Sequence, residues 1–260
     1  MKRLHILYTL LFIWLLPVTS NGQPAGKEKL RVISYNIWNG FEHDASRRAN
    51  FINWIKGQQP DILAMTELVG FTEKDLGQLA SEYGHKYYAI VKEEGYPVGI
   101  TSNEPITVVK KQMEGFWHGM LHVKTHGLDM IVTHLSPHDW KFRLKEAQML
   151  TSYIQDNQLD NCMVMGDFNA YSPFDADWVE THAQLIENMQ KWDAEQETYR
   201  NMRDGRFDYS VLSKFLSIGL TDICRLYVPA DKRTTFPAAF LYGWQHGDTR
   251  LHGIGERLDY

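Results

Sequence analysis

Five residues, Asn36, Glu67, His134, Asp167 and Asn169, stand at or just past the ends of short apolar runs, and each is of a type that binds metal or phosphate. The runs are Arg31-Val-Ile-Ser-Tyr-Asn36, Asp61-Ile-Leu-Ala-Met-Thr-Glu67, Asp129-Met-Ile-Val-Thr-His134 and Asn161-Cys-Met-Val-Met-Gly-Asp167-Phe-Asn169. Apolar on both alternations, they read as strands buried on two faces. Side by side in one sheet they would bring the five polar residues to one rim, which is the pattern of an active site built from strand ends.

The chemistry available at such a rim follows from the residue types. A carboxylate such as Glu67, drawn out of water at the end of an apolar strand, is costly to bury alone, and a divalent cation is the common way to stabilise it. Asp167 and Asn169 are two apart, so on an extended backbone both side chains project to one side while Phe168 points into the core. The carboxylate could orient or deprotonate a water and the amide could hydrogen-bond a phosphate oxygen. An Asx turn after Gly166 would favour the same two residue types. His134 could donate to a phosphoryl oxygen or act as a general acid. The loop after it, Leu135-Ser136-Pro137, and the downstream Arg143 add phosphate-binding capacity.

The elements that must position these residues have readable ends. Asp44 caps a predicted helix with Ala45, Ala49, Ile52 and Ile55 on its apolar face, stopped by Gly57 and Pro60. Thr72 caps a second, carrying Leu76, Leu79, Ala80 and Tyr83 and closed by Gly84. A third, with Leu144, Ala147, Leu150 and Ile154, connects His134 to the run that ends at Asp167. Residues 95–113 and 115–123 read as β-hairpin material, with Asn103-Glu-Pro105 as a turn. From Asp175 to Lys214 the pattern weakens, and Trp178, Trp192, Tyr199 and Tyr209 suit either a substrate-binding insertion or a helical excursion packed on the body. Gly219-Leu-Thr-Asp222 reads as another strand-edge carboxylate. This mixed order of strands and helices predicts α/β layers around mixed sheets.

At 260 residues and 43% hydrophobic content, the chain is sized for one large domain. Residues 1–22 stand apart from it. Lys2 and Arg3 precede an apolar stretch from Leu4 to Leu16, too short to span a bilayer, followed by small and polar residues. That is the pattern of a signal peptide cut near Gly22, leaving 23–260 as an exported domain, periplasmic or extracellular if bacterial. The formal net charge of −5 becomes two units more negative without Lys2 and Arg3. An acidic balance argues against tight static nucleic-acid binding, though not against a hydrolase that brings divalent cations with it. Cys162 lies inside an apolar run, so free thiols are expected rather than a bridge to Cys224. No Gly-x-Ser-x-Gly elbow is present, which counts against a serine hydrolase.

Taken in order, these segments resemble the endonuclease/exonuclease/phosphatase superfamily. The resemblance runs from about Arg31 to Tyr260, through Ser34-Tyr-Asn36-Ile-Trp-Asn-Gly40, Asp61-Ile-Leu-Ala-Met-Thr-Glu67, Gly99-Ile-Thr-Ser102 with Pro105-Ile106, Thr133-His134-Leu135, Gly166-Asp-Phe-Asn-Ala170, Gly219-Leu-Thr-Asp222 and Arg257-Leu-Asp259-Tyr260. It implies a four-layer α/β sandwich with two central mixed β-sheets and a Mg²⁺-dependent phosphoester hydrolase, with Mn²⁺ as a substitute. By the same resemblance Glu67 and Asn36 bind the metal, Asp167 and Asn169 position the water and the phosphate, His134 contacts the phosphoryl group, and Asp259 orients a catalytic His. The substrate would be a nucleic acid, a phospholipid headgroup or a sugar phosphate, acted on by a monomer with no implied protein partner.

One departure matters. The family pattern continues past Asp259 to a Ser-Asp-His segment, and neither Ser136-Pro-His-Asp139 nor Gln245-His-Gly-Asp248 supplies it. Two readings follow: a chain cut short of its last strand, inactive as it stands, or a relative that binds a phosphorylated ligand without turning it over.

Overall fold

The computed structural model describes residues 29–236 and 255–260, so the predicted signal peptide lies outside the described residues. Eight strands form two four-stranded mixed sheets. In the first, β1 (Val32–Asn36) runs parallel to β2 (Ile62–Thr66), and β2 pairs antiparallel with β4 (Gly99–Ser102), which pairs antiparallel with β3 (Tyr87–Ile90). In the second, β5 (Thr107–Gln112), β6 (Met120–Thr125) and β7 (Leu128–His134) form an antiparallel meander, and β8 (Cys162–Asp167) lies parallel to β7.

Strand alternation stacks the layers. Ile62 and Ala64 of β2 face Met130 and Val132 of β7 in the core between the sheets, with Ile100, Val123 and Met165 beside them. The alternate residues Leu63 and Met65 turn outward onto α1 (Ala45–Gln58) and α2 (Glu73–Glu82), which contribute Phe51, Ile52, Ile55, Leu76 and Leu79. Ile131 turns the other way, onto α3 (Trp140–Asp156) and a later helix carrying Val211, Leu212 and Phe215. The order is helix, sheet, sheet, helix, the predicted four-layer α/β sandwich.

The helix ends follow local chemistry. The Asp44 side chain accepts from the Ser46 and Arg47 amides, and Thr72 and Asp75 form a reciprocal capping box. On α1 the buried face is Phe51, Ile52 and Ile55, while Ala45 and Ala49 are exposed. Gly57 does not stop that helix, which ends at Gln59 in a left-handed conformation. The Asn103-Glu-Pro105 turn does not close a hairpin either. It carries the chain from β4 in the first sheet to β5 in the second. Gly219-Leu-Thr-Asp222 forms no strand, and Asp222 caps the short helix Ile223–Tyr227.

After β8 the chain makes a helical excursion: α4 (Ala176–Glu180), α5 (Ala183–Glu195), a two-residue hairpin β9 (Met202–Arg203) and β10 (Arg206–Phe207), α6 (Ser210–Leu216) and α7 (Ile223–Tyr227). Its own small core, Val179, Leu185, Met189, Met202 and Phe207, closes around Tyr171. The last residues return to the second sheet. Gly166 and Tyr260 exchange both backbone hydrogen bonds at 2.9 Å and the Phe168 amide donates to Leu258, so Asp259 lies against Asp167. Cys162 and Cys224 are both free thiols.

Candidate active site

The strand ends meet, but from two sheets rather than one. Helical crossovers through α1 and α3 make β1–β2 and β7–β8 the parallel pairs, so the C-terminal ends of four strands point to the same rim. Asn36 is level with Thr66, and His134 with Asp167. Because the two sheets stack, those two pairs of ends face each other. The chain leaves β2 and β8 by sharp turns: Glu67 and Asn169 have positive φ, 59° and 47°, a conformation costly for residues with a Cβ and concentrated at functional positions.

Asn36 ties the two sheets together. Its Nδ2 donates to Glu67 Oε1 at 2.9 Å and to Asp167 Oδ2 at 3.0 Å, while its Oδ1 accepts the Trp38 amide at 2.8 Å, which fixes the orientation of the amide. The other Glu67 oxygen accepts the Asn39 amide at 2.8 Å. Asp167 Oδ1 accepts the Asn169 amide at 2.9 Å, so the Asx turn exists, and it coexists with the convergence of side chains. Phe168 is buried, as the alternation requires.

His134 and Asp167 are both more than 90% buried. His134 Nε2 lies 3.7 Å from Asp167 Oδ2 and 3.1 Å from Asn169 Nδ2. Asn169 Nδ2 also donates to the Leu135 carbonyl at 3.0 Å, so it is the amide nitrogen that faces the ring. His134 Nε2 is then an acceptor in this arrangement, and Nδ1 is buried with no partner among the described residues. Above His134 stacks His118, ring centroids 4.3 Å apart. Burial, then His134, Lys92 and His138, pull the His118 pKa down to about 2, which keeps that ring neutral.

Asp259 adds a third carboxyl. Its Oδ1 is enclosed and has no hydrogen-bond partner among the described residues. Burial, and then the charges of Asp167 and Glu67, hold this carboxyl well above the usual carboxylate range. Acidic groups thus converge in a cleft of about 1370 Å³ in which Arg47 is the only Lys or Arg among the described lining residues, and Arg47 pairs with Glu42. Glu67, His134 and Asp167 each offer a ligand atom, all within 4.8 Å of one another. Carboxylate oxygens and uncompensated negative charge suit a hard divalent cation.

Arg143 does not join them. It is 1% exposed on the inner face of α3, and its guanidinium donates to the Ser136 and Arg200 carbonyls and to Asn201 Oδ1, at 3.0–3.2 Å. Its charge is spent holding loops, not phosphate. Residues that the strand-end pattern did not single out also shape the site. Glu146, fully buried on α3, accepts the Trp117 and Ser136 amides, both at 2.8 Å, and so ties the loop of His118 to that of His134. Trp117 and His118 lie in an irregular segment between β5 and β6, where no periodicity marks them.

The geometry can be set beside known proteins. The fold matches an AP endonuclease from Archaeoglobus fulgidus (19% identity, 89% of this chain and 85% of that one, TM-score 0.58). It also matches a 3' phosphatase, NExo, from Neisseria bound to product DNA hairpin (17%, 89% and 85%, 0.60), and a 3'-5' exonuclease, NExo, from Neisseria meningitidis (20%, 82% and 80%, 0.58). No curated protein matches the chain in sequence. The profile of one family covers residues 33–260, from the second residue of β1 to the strand segment that carries Asp259. Fold, rim and profile agree: the chain belongs to the endonuclease/exonuclease/phosphatase family.

Proposed function

We propose that this protein is an exported, Mg²⁺-dependent phosphoester hydrolase that accepts Mn²⁺ as a substitute. The observation that carries the reading is the meeting of Glu67, His134 and Asp167 within 4.8 Å, with Asn36 bridging Glu67 of its own sheet to Asp167 of the facing one. Glu67 and Asn36 would hold the cation, with Asp167 beside it. When bound, such an ion supplies positive charge against the phosphoryl oxygens and the leaving alkoxide. Asp167, its carboxylate locked by two donors, orients or deprotonates the attacking water. Asn169 and His134 face the same space; with its proton on Nε2, His134 would donate to a phosphoryl oxygen and release the second Asn169 N–H to do the same. The reading is supported by the DNA-processing activities named for the structural relatives and, for export, by the first 22 residues of the sequence.

Phosphate release from a panel of mono- and diesters should vanish in chelator and return with Mg²⁺ or Mn²⁺. Glu67→Gln should weaken Mg²⁺ binding, followed by calorimetry, about 10-fold or more. Full activity in chelator would sink the proposal. A second reading is a non-catalytic phosphate binder, because the buried Asp259 Oδ1 finds no hydrogen-bond partner among the described residues. Mg²⁺-dependent phosphate binding without turnover would establish that reading instead.

A further inference from the structure

One wall of the cleft is made of rings. His118 stacks on His134, Tyr96 lies 5.4 Å from His118, Trp117 packs on His138 at 4.0 Å, and His138 packs on Tyr199 at 5.1 Å, all centroid to centroid. Tyr96, Trp117 and Tyr199 are each 38–46% exposed and all line the cleft. Single exposed aromatics are ordinary, but a contiguous row leading away from a buried polar centre is not.

The wall is held from behind by buried polar side chains. The Arg200 amide donates to the His138 carbonyl and the Trp140 amide donates to that of Arg200, so Tyr199 is laced beside His138. Arg143 binds the carbonyls of Ser136 and Arg200, and Glu146 binds the amides of Ser136 and Trp117. Two buried side chains of one helix, neither lining the cleft, therefore hold the three segments that present Trp117, His138 and Tyr199. Fixing exposed aromatics in advance lowers the ordering cost of stacking a ligand on them.

Charge decides what kind of ring-bearing ligand fits. A polyanionic backbone is held by rows of Lys and Arg, and here the described lining offers Arg47 alone. We propose that Trp117, His138 and Tyr199 form a stacking subsite for a ring on the substrate's ester group, so that the preferred substrate is a small ring-bearing phosphoester, a nucleotide or a sugar phosphate, rather than duplex nucleic acid. This rests on the phosphoester reading of the adjoining site.

The test compares ligands with the same phosphate and different partners for the wall: adenosine monophosphate, glucose 1-phosphate and glycerol 3-phosphate. Their affinities in Mg²⁺ are measured by calorimetry on Asp167→Asn protein, alone and with Trp117→Ala or Tyr199→Ala added. At least one ring-bearing ligand should bind about 10-fold or more tightly than glycerol 3-phosphate, and that ratio should fall to within about 3-fold in the wall variants. Whichever of the two rings binds tighter identifies the ester group. Equal affinities for all three ligands, or a ratio indifferent to both wall variants, would overturn the subsite. So would binding of duplex DNA with none of the small phosphates. A persistent ratio with no phosphate release by the unaltered protein in Mg²⁺ or Mn²⁺ would overturn the hydrolase reading and leave the subsite standing.

Discussion

Asp167 is the most constrained group at the rim. One oxygen accepts from Asn36 and faces His134, and the other accepts the amide that closes its own turn. Replacing it by Asn keeps an acceptor for the turn and removes the charge. Asp167→Asn should therefore lower turnover by ~10²-fold or more while shifting the melting temperature little. A variant that fails to fold would assign Asp167 to the turn alone. The convergence at the rim is legible because Asn36, Glu67, His134 and Asp167 each end a run whose burial is written in its apolar pattern. Arg143 shows the limit of that reading. Its nearness in the chain to His134 points it at phosphate, yet it lies four residues before Ala147 and seven before Leu150, both buried. The period that predicts α3 therefore also turns Arg143 inward, where its partners are loop carbonyls.

Elements bring the residues together through two close approaches. At Gly166, φ is 134° and an added Cβ would stand 1.8 Å from the Thr133 carbonyl oxygen. Gly166→Ala should force β7 and β8 apart next to His134 and Asp167, giving little soluble protein and none with wild-type turnover; a well-folded, active variant would refute this. Glu146 is the second device. Burial first of all raises its pKa from 4.5 to about 7, against the amides it accepts. Because the folded state holds this proton more tightly than the unfolded chain, stability falls as pH rises from about 4.5 to 7, by roughly 3 kcal/mol in all. In Glu146→Gln that slope should flatten, whatever the absolute stability, and urea unfolding at several pH values reads it directly. An unchanged slope would mean that Glu146 ionises as freely in the folded protein as in the unfolded chain. Elements were less legible where two connections share one chemistry. Asn103-Glu-Pro105 carries the signals of a hairpin turn, and those signals do not say whether the next strand joins the same sheet or the one facing it. Gly219-Leu-Thr-Asp222 looks like a strand end because a helix cap and a strand-edge carboxylate can be the same residue.

At the scale of the whole molecule, the excursion and the C-terminal segment are tied by a buried ionic network. Arg257 Nε donates to Asp175 at 2.7 Å and its two terminal nitrogens grip both Asp222 oxygens at 3.0 and 2.6 Å, while Arg233 holds the other Asp175 oxygen at 2.8 Å. These partners lie 82 and 35 residues before Arg257, too far apart for any local pattern to pair them. The network anchors the residue two positions before Asp259, and so the strand segment that sets Asp259 against Asp167. Arg257→Met should leave Asp222 buried without its bidentate partner, at a cost of about 3–5 kcal/mol, because an uncompensated buried charge is worse than none. For a protein of this size that lowers the melting temperature by roughly 10 °C. Adding Asp222→Leu removes the orphaned charge and should recover part of that stability, while turnover, measured well below both melting temperatures, should stay depressed because Asp259 has lost its anchor. If turnover recovers with stability, the network serves only to hold the fold, and the placement of Asp259 depends on its pairing with β8 alone.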